Sequence, residues 1–135
     1  MKKIIYTILT FCIMLLIFFF SSQNGDDSAK TSGFIFSLFP FLKNIENAEF
    51  YIRKFAHFSI YFLLGISTYK MFDAYKYRKY KLLLYSIVFC IFYACTDEFH
   101  QSFSAGRSPQ LFDVFIDACG ASLSNVLSYC FFQRK

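Results

Sequence analysis

Residues 4–20 read IIYTILTFCIMLLIFFF, 17 consecutive positions without a charge. As a helix rising about 1.5 Å per residue this run is about 26 Å long, close to the roughly 30 Å hydrocarbon core of a bilayer. Immediately before it stand Lys2 and Lys3; after it the chain turns polar, SSQNGDDSAKTSG at 21–33. The basic start resembles a secretory signal, but no small-residue cleavage pattern follows and the apolar run is long for such a segment. The bulky Phe11 before Cys12 also argues against lipoprotein processing. The run reads as a retained membrane helix.

The rest of the chain continues the pattern. Of 135 residues, 21 are Phe and 10 are Tyr, and the charged fraction of 17% lies below the roughly 25% of soluble domains. Residues 82–96 are uncharged, 55–69 contain only His57, and 111–132 contain only Asp113 and Asp117. The expectation is an all-α, polytopic membrane protein. It is a four-transmembrane-helix bundle, one domain over 1–135, with spans near 3–21, 51–72, 80–98 and 110–132. Between spans one and two, FIFSLFPFL at 34–42 is apolar but too short to cross, and Pro40 interrupts it, so it reads as a short interfacial helix. Residues 21–33 read as a loop. Asn47 is placed to cap span two, with Glu49 in its first turn. SAGRSP at 104–109 reads as a turn, with Pro109 opening span four.

A formal net charge of +5 could indicate nucleic acid, but the placement of the cations excludes it. Lys70, Lys76, Arg78, Lys79 and Lys81 crowd the connection between spans two and three. Lys2, Lys3, Arg134 and Lys135 flank the chain ends. With four spans these regions share one side, and the positive-inside rule puts both termini in the cytoplasm of a cell membrane. The five cysteines all fall inside expected spans with no zinc or redox spacing, and read as apolar filler.

Two polar blocks interrupt the apolar runs: IRKFAHFSIY at 52–61 and YACTDEFHQSFSAGRSPQLFDVFIDACG at 93–120. In this topology both lie toward the exterior. Arg53, His57, Tyr61 and Gly65 share one helix face; so do Tyr93, Asp97 and Gln101, and so do Asp113 and Asp117. Gly120, Ser124 and Ser128 form a small-residue stripe suited to close helix packing in lipid. An ionised Asp facing lipid costs several kcal/mol, so the acidic face of span four is expected to turn inward.

Three readings of this cluster stay open. In the first, Arg53, Lys54, Gln101, Arg107, Asp113 and Asp117 bind something polar at the outer leaflet. The guanidinium forks of Arg53 and Arg107 suit phosphate or carboxylate. In the second, His57, Glu98, His100 and Asp97 are catalytic, as acid–base groups or as ligands of a divalent metal. No H-E-x-x-H motif supports the metal, and no cofactor is assigned. In the third, Arg53, Lys54 and Arg107 and the four carboxylates form a structural ion-pair network. Conduction through the cluster is disfavoured, because the cytoplasmic halves of the spans continue no polar path.

IRKFAHFSIYFLLG and DEFHQSFSAGRSPQLFDVFIDACG resemble the two signature blocks of the VanZ-like membrane protein family, and SSQ at 21–23 resembles that family's opening. The resemblance covers nearly the whole chain and reaches Arg53, Lys54, His57, Asp97, Glu98, His100, Gln101, Gly106, Arg107, Asp113, Asp117 and Gly120. It implies a multi-pass protein of the bacterial cell envelope, associated with tolerance of glycopeptide antibiotics, teicoplanin above all. Implied partners are membrane lipids and a lipid-linked cell-wall precursor or the antibiotic itself. One departure is Ile60, where the family often has Glu before the tyrosine.

Overall fold

The computed structural model describes the chain except Asn24, residues 104–109 and residues 133–135, and the side chains at 25–29, 31, 42 and 43. Arg107, Gly106, the 104–109 turn and the opening role given to Pro109 therefore lie outside the described residues. Among the described residues the elements are helical: α1 (Lys2–Ser21), α2 (Gly25–Leu38), a 3-10 turn (Pro40–Asn44), α3 (Ala48–Ala74), α4 (Lys79–Gln101) and α5 (Leu111–Phe132).

α1, α4 and α5 are long and apolar enough to cross a membrane. α3 has the length, 27 residues, but not the composition. Arg53, Lys54, His57, Lys70 and Asp73, with the hydroxyls of Ser59, Tyr61, Ser67, Thr68 and Tyr69, dilute its apolar residues. Those polar groups follow from its place. α3 is the central helix, packed against α1, α4 and α5, and Tyr61, Ser67, Thr68 and Tyr69 are buried. Thr10 meets Ser67 at 2.7 Å, Thr68 meets Cys90 at 3.3 Å, and Asn125 Nδ2 donates to the Ala121 carbonyl at 2.8 Å. The first two bonds join α3 to α1 and α4, where apolar contacts gain little over lipid, and the third satisfies a buried amide within α5.

The contact pairs fix helix directions. Lys54 meets Asp113, His57 meets Asp117, and Gly65 meets Ser124, so α3 and α5 run parallel. Thr68 with Cys90 and Tyr61 with Tyr93 make α4 antiparallel to α3. Thr10 with Ser67 and Thr7 with Tyr75 do the same for α1. The α3–α5 crossing is close because both helices are small there. A Cβ on Gly120 would stand 2.5 Å from the Phe58 carbonyl oxygen, and Gly65 abuts Ala121 and Ser124. The Gly120, Ser124 and Ser128 stripe is buried as its spacing suggests.

Two local readings change. The expected loop at 21–33 is helical from Gly25 onward and continues into the apolar stretch as α2. The residue before a proline disfavours helix, and α2 stops at Leu38, ahead of Phe39 and Pro40. The segment between α1 and α3 is thus a 14-residue helix plus a 3-10 turn, longer than the short interfacial helix expected. Asn47 does occupy the N-cap of α3, with Glu49 in the first turn, but its side chain makes no capping bond. Its φ of 58° places it in the left-handed region, which Asn tolerates better than most residues, so it acts as the bend into α3.

Candidate functional site

The helix directions bring the polar ends of α3, α4 and α5 to one end of the bundle. There a cavity of about 510 Å³ lies between α1, α2, α3 and α4 and the start of α5. Arg53, Lys54 and His57 line it from α3, Asp97 and Gln101 from α4, and Gln110 and Asp113 from the approach to α5 and its first turn. Ser32 and Ile35 of α2 close it on the side of the connecting segment, and Ile17, Phe20, Phe50 and Ile60 give it apolar wall.

A spacing of three residues on α3, Lys54 to His57, against four on α5, Asp113 to Asp117, is what aims the groups. Lys54 pairs with Asp113, and its Nζ also donates to Gln110 Oε1 at 3.3 Å. Its ammonium lies 4.9 Å from the Phe50 ring centre and 5.7 Å from that of Phe112. One turn on, His57 Nδ1 lies 3.3 Å from Asp117 Oδ1, an ion-pair separation without the angles of a hydrogen bond. Asp117 is 1% exposed and Asp97 4%. Gln101 Nε2 donates to Asp97 Oδ2 at 3.3 Å, the pairing that their four-residue spacing permits. Asp97 Oδ1, Asp117 Oδ1 and the Tyr61 hydroxyl are buried without a hydrogen-bond partner among the described residues. Arg53 is exposed at the rim and has no ion pair there among the described residues.

The four residues read as catalytic do not converge. His57 and Asp97 face the same space, whereas His100 turns toward α1, where its ring lies 4.3 Å from that of Phe18. Glu98 is buried outside the cavity wall, and its carboxylate accepts the backbone N–H of Gln110. That bond clips the end of α4 to the start of α5, a structural duty. Of the residues read as ligand-binding, Arg53, Lys54, Gln101 and Asp113 line the cavity, while Asp117 sits behind His57. Gln110 and Ser32 were not singled out. Gln110 gave a faint signal as a polar residue just ahead of an apolar helix; Ser32 gave none, lying in a segment read as loop.

Comparison with known proteins covers nearly the whole of these helices and blocks. The VanZ/LLP1 family model matches residues 6–132. This chain belongs to the VanZ/LLP1 family. A VanZ/LLP1-like stretch of 82 residues is 33% identical to a protein of the fission yeast Schizosaccharomyces pombe that is described only as uncharacterized. It covers 61% of this chain and 49% of the yeast protein, so the match spans about half the length of that relative. Because the likeness extends to a yeast, resemblance alone does not place this VanZ/LLP1 chain in a bacterium. No solved structure matches it.

Proposed function

We infer that this VanZ/LLP1 chain is a four-span protein of a bacterial cell envelope whose cavity opens at the outer leaflet. Both termini are cytoplasmic, and α3 is the fourth span. The cavity binds the anionic, polar end of an envelope component: a lipid head group, a lipid-linked cell-wall precursor or a glycopeptide antibiotic. The observation that carries this reading is the rim. Arg53 has no ion pair among the described residues and stands beside a cavity that is apolar toward α1 and charged toward α3, a combination that suits a ligand with a polar head and an apolar tail. Glycopeptides act on precursors at the outer surface, which is where this topology puts the cavity. The His57–Asp117 pair at 3.3 Å supports a second reading, a membrane-embedded enzyme that moves a proton on such a component.

The topology has a direct test. In a background lacking the exposed cysteines, Ser102→Cys should react with a membrane-impermeant thiol reagent in intact cells, and Lys76→Cys only after permeabilisation. The reverse pattern would turn the cavity to the cytoplasm and remove the outer-leaflet reading.

Function is tested by expression in a teicoplanin-susceptible bacterium. The wild-type chain should raise the inhibitory concentration of teicoplanin and leave that of an unrelated antibiotic unchanged. Arg53→Gln and Arg107→Gln, at matched membrane abundance, should abolish the difference if the cavity only binds. Loss with His57→Gln, but not with the arginine variants, would favour chemistry. An unchanged teicoplanin response with the protein present in the membrane would reject the glycopeptide role.

A further inference from the structure

Lys54 is committed to Asp113 and Gln110, so it does not compensate the two deeper carboxylates. Asp97 and Asp117 approach one imidazole, His57, which can carry at most one positive charge. Ligand atoms from His57, Asp97 and Asp117 all lie within 4.8 Å of one another. His57 Nδ1 and Asp117 Oδ1 are 3.3 Å apart. Tetrahedral bonds of about 2.0–2.1 Å place neighbouring ligands about 3.4 Å apart, so this pair already has the spacing of two ligands on one small cation. Asp97 brings its carboxylate within 4.8 Å of both as the third ligand.

Three further features point the same way. Gln101 holds Asp97 by Oδ2 and leaves Oδ1 without a hydrogen bond among the described residues, as an outer-shell residue orients a ligating carboxylate. The hydroxyl of Tyr61, a residue 0% exposed, lies beside Asp97 and meets no hydrogen-bond geometry with any described residue. It can accept nothing from a carboxylate but can donate to one, or to a water on an ion. His57 and Asp97 also line the cavity, which supplies a route in and a free position for a further ligand.

We propose that His57, Asp97 and Asp117 form a divalent-cation site in the wall of this cavity. One imidazole nitrogen with two carboxylates suits a borderline first-row ion, Zn²⁺ rather than Mg²⁺ or Ca²⁺, which favour all-oxygen sets. The ion neutralises a buried charge that the described side chains leave uncompensated. The site stands independently of the head-group reading, since an ion binds here whether or not a ligand then enters.

The test uses the full-length chain in detergent, free of any histidine tag, stripped with a chelator and titrated with Zn²⁺. The expected result is about one equivalent bound per chain by elemental analysis, with a nitrogen and oxygen shell at the zinc X-ray absorption edge. Asp117→Asn and His57→Gln should each weaken binding at least tenfold. Gln101→Ala should weaken it about tenfold, as loss of an outer-shell partner does. Asp73→Asn, at the far end of α3, should bind like wild type. No bound zinc in the wild type would overturn the proposal. So would a sulfur shell, which would assign the metal to a cysteine, or undiminished binding in both ligand variants. The first two outcomes hold even if a variant fails to fold. The teicoplanin phenotype is not used as a readout, so failure here and failure of the binding role are told apart.

Discussion

Gly120→Val should unfold in detergent at a clearly lower temperature than the wild type, with a loss of about 3 kcal/mol or more. Gly120 lies on α5 where that helix crosses α3, and an added Cβ would stand 2.5 Å from the Phe58 carbonyl oxygen. The obstacle is backbone, so no rotamer change relieves it, and the helices must separate. Overpacking by a single methylene typically costs about 1–3 kcal/mol, and valine adds more than one group. Gly33→Ala is the matched control. A Cβ there meets nothing within 4 Å, and alanine is the better helix former by about 1 kcal/mol. That variant should be as stable as wild type or slightly more so. Thermal unfolding followed by circular dichroism in one detergent measures both. Equal midpoints for Gly120→Val and wild type would mean that α3 and α5 do not pack through this glycine.

The second large effect concerns Lys54 and Asp113. Their side chains are 14% and 15% exposed, and the pair lies at the edge of the cavity. Lys54→Met leaves a carboxylate without its cation in a poorly hydrated place. It should cost about 2–4 kcal/mol, because breaking such a pair from one side exposes the desolvation penalty of the other. Lys54→Met combined with Asp113→Leu should regain most of that stability, since an apolar pair of similar volume needs no compensation. The double variant then separates structure from function. If Lys54 also attracts an anionic ligand, the stable double variant should still lack the teicoplanin phenotype. Restoration of both stability and phenotype would mean that this pair serves the fold alone.

Much of this architecture is legible in the residues. α1 and α4 announce themselves as uncharged runs, and α5 as a run broken only by Asp113 and Asp117. α3 is the instructive case. Its hydropathy is diluted, yet Arg53, His57, Tyr61 and Gly65 repeat at the helical interval, and a helix polar on an inward face belongs in the middle of a bundle. α2 was hidden because its first half is polar and its second half apolar. The two halves have different compositions but one backbone conformation, and composition is all that a local reading weighs.

The candidate site was legible as a set of residues and not as a geometry. The sequence by itself determined that Arg53, Lys54 and His57 of α3, Asp97 and Glu98 of α4, and Asp113 and Asp117 of α5 fall toward one end of the bundle, because the order and length of apolar runs dictate which helix ends lie together. It also determined that Asp113 and Asp117 share a face, since four residues is close to one turn. It did not determine which groups meet across helices. Asp97 and His100 are three residues apart, a rotation that leaves them about 60° from one another around α4. That is enough for one to face His57 and the other Phe18. Glu98, one residue from Asp97, is turned by about 100° and serves the start of α5 instead. Those assignments depend on the rotation of each helix about its axis, and the rotation is decided by packing: Gly65 and Gly120 let α3 and α5 approach until their polar faces engage. Only the tertiary structure therefore selected His57, Asp97 and Asp117 from among the charged residues that the sequence offered.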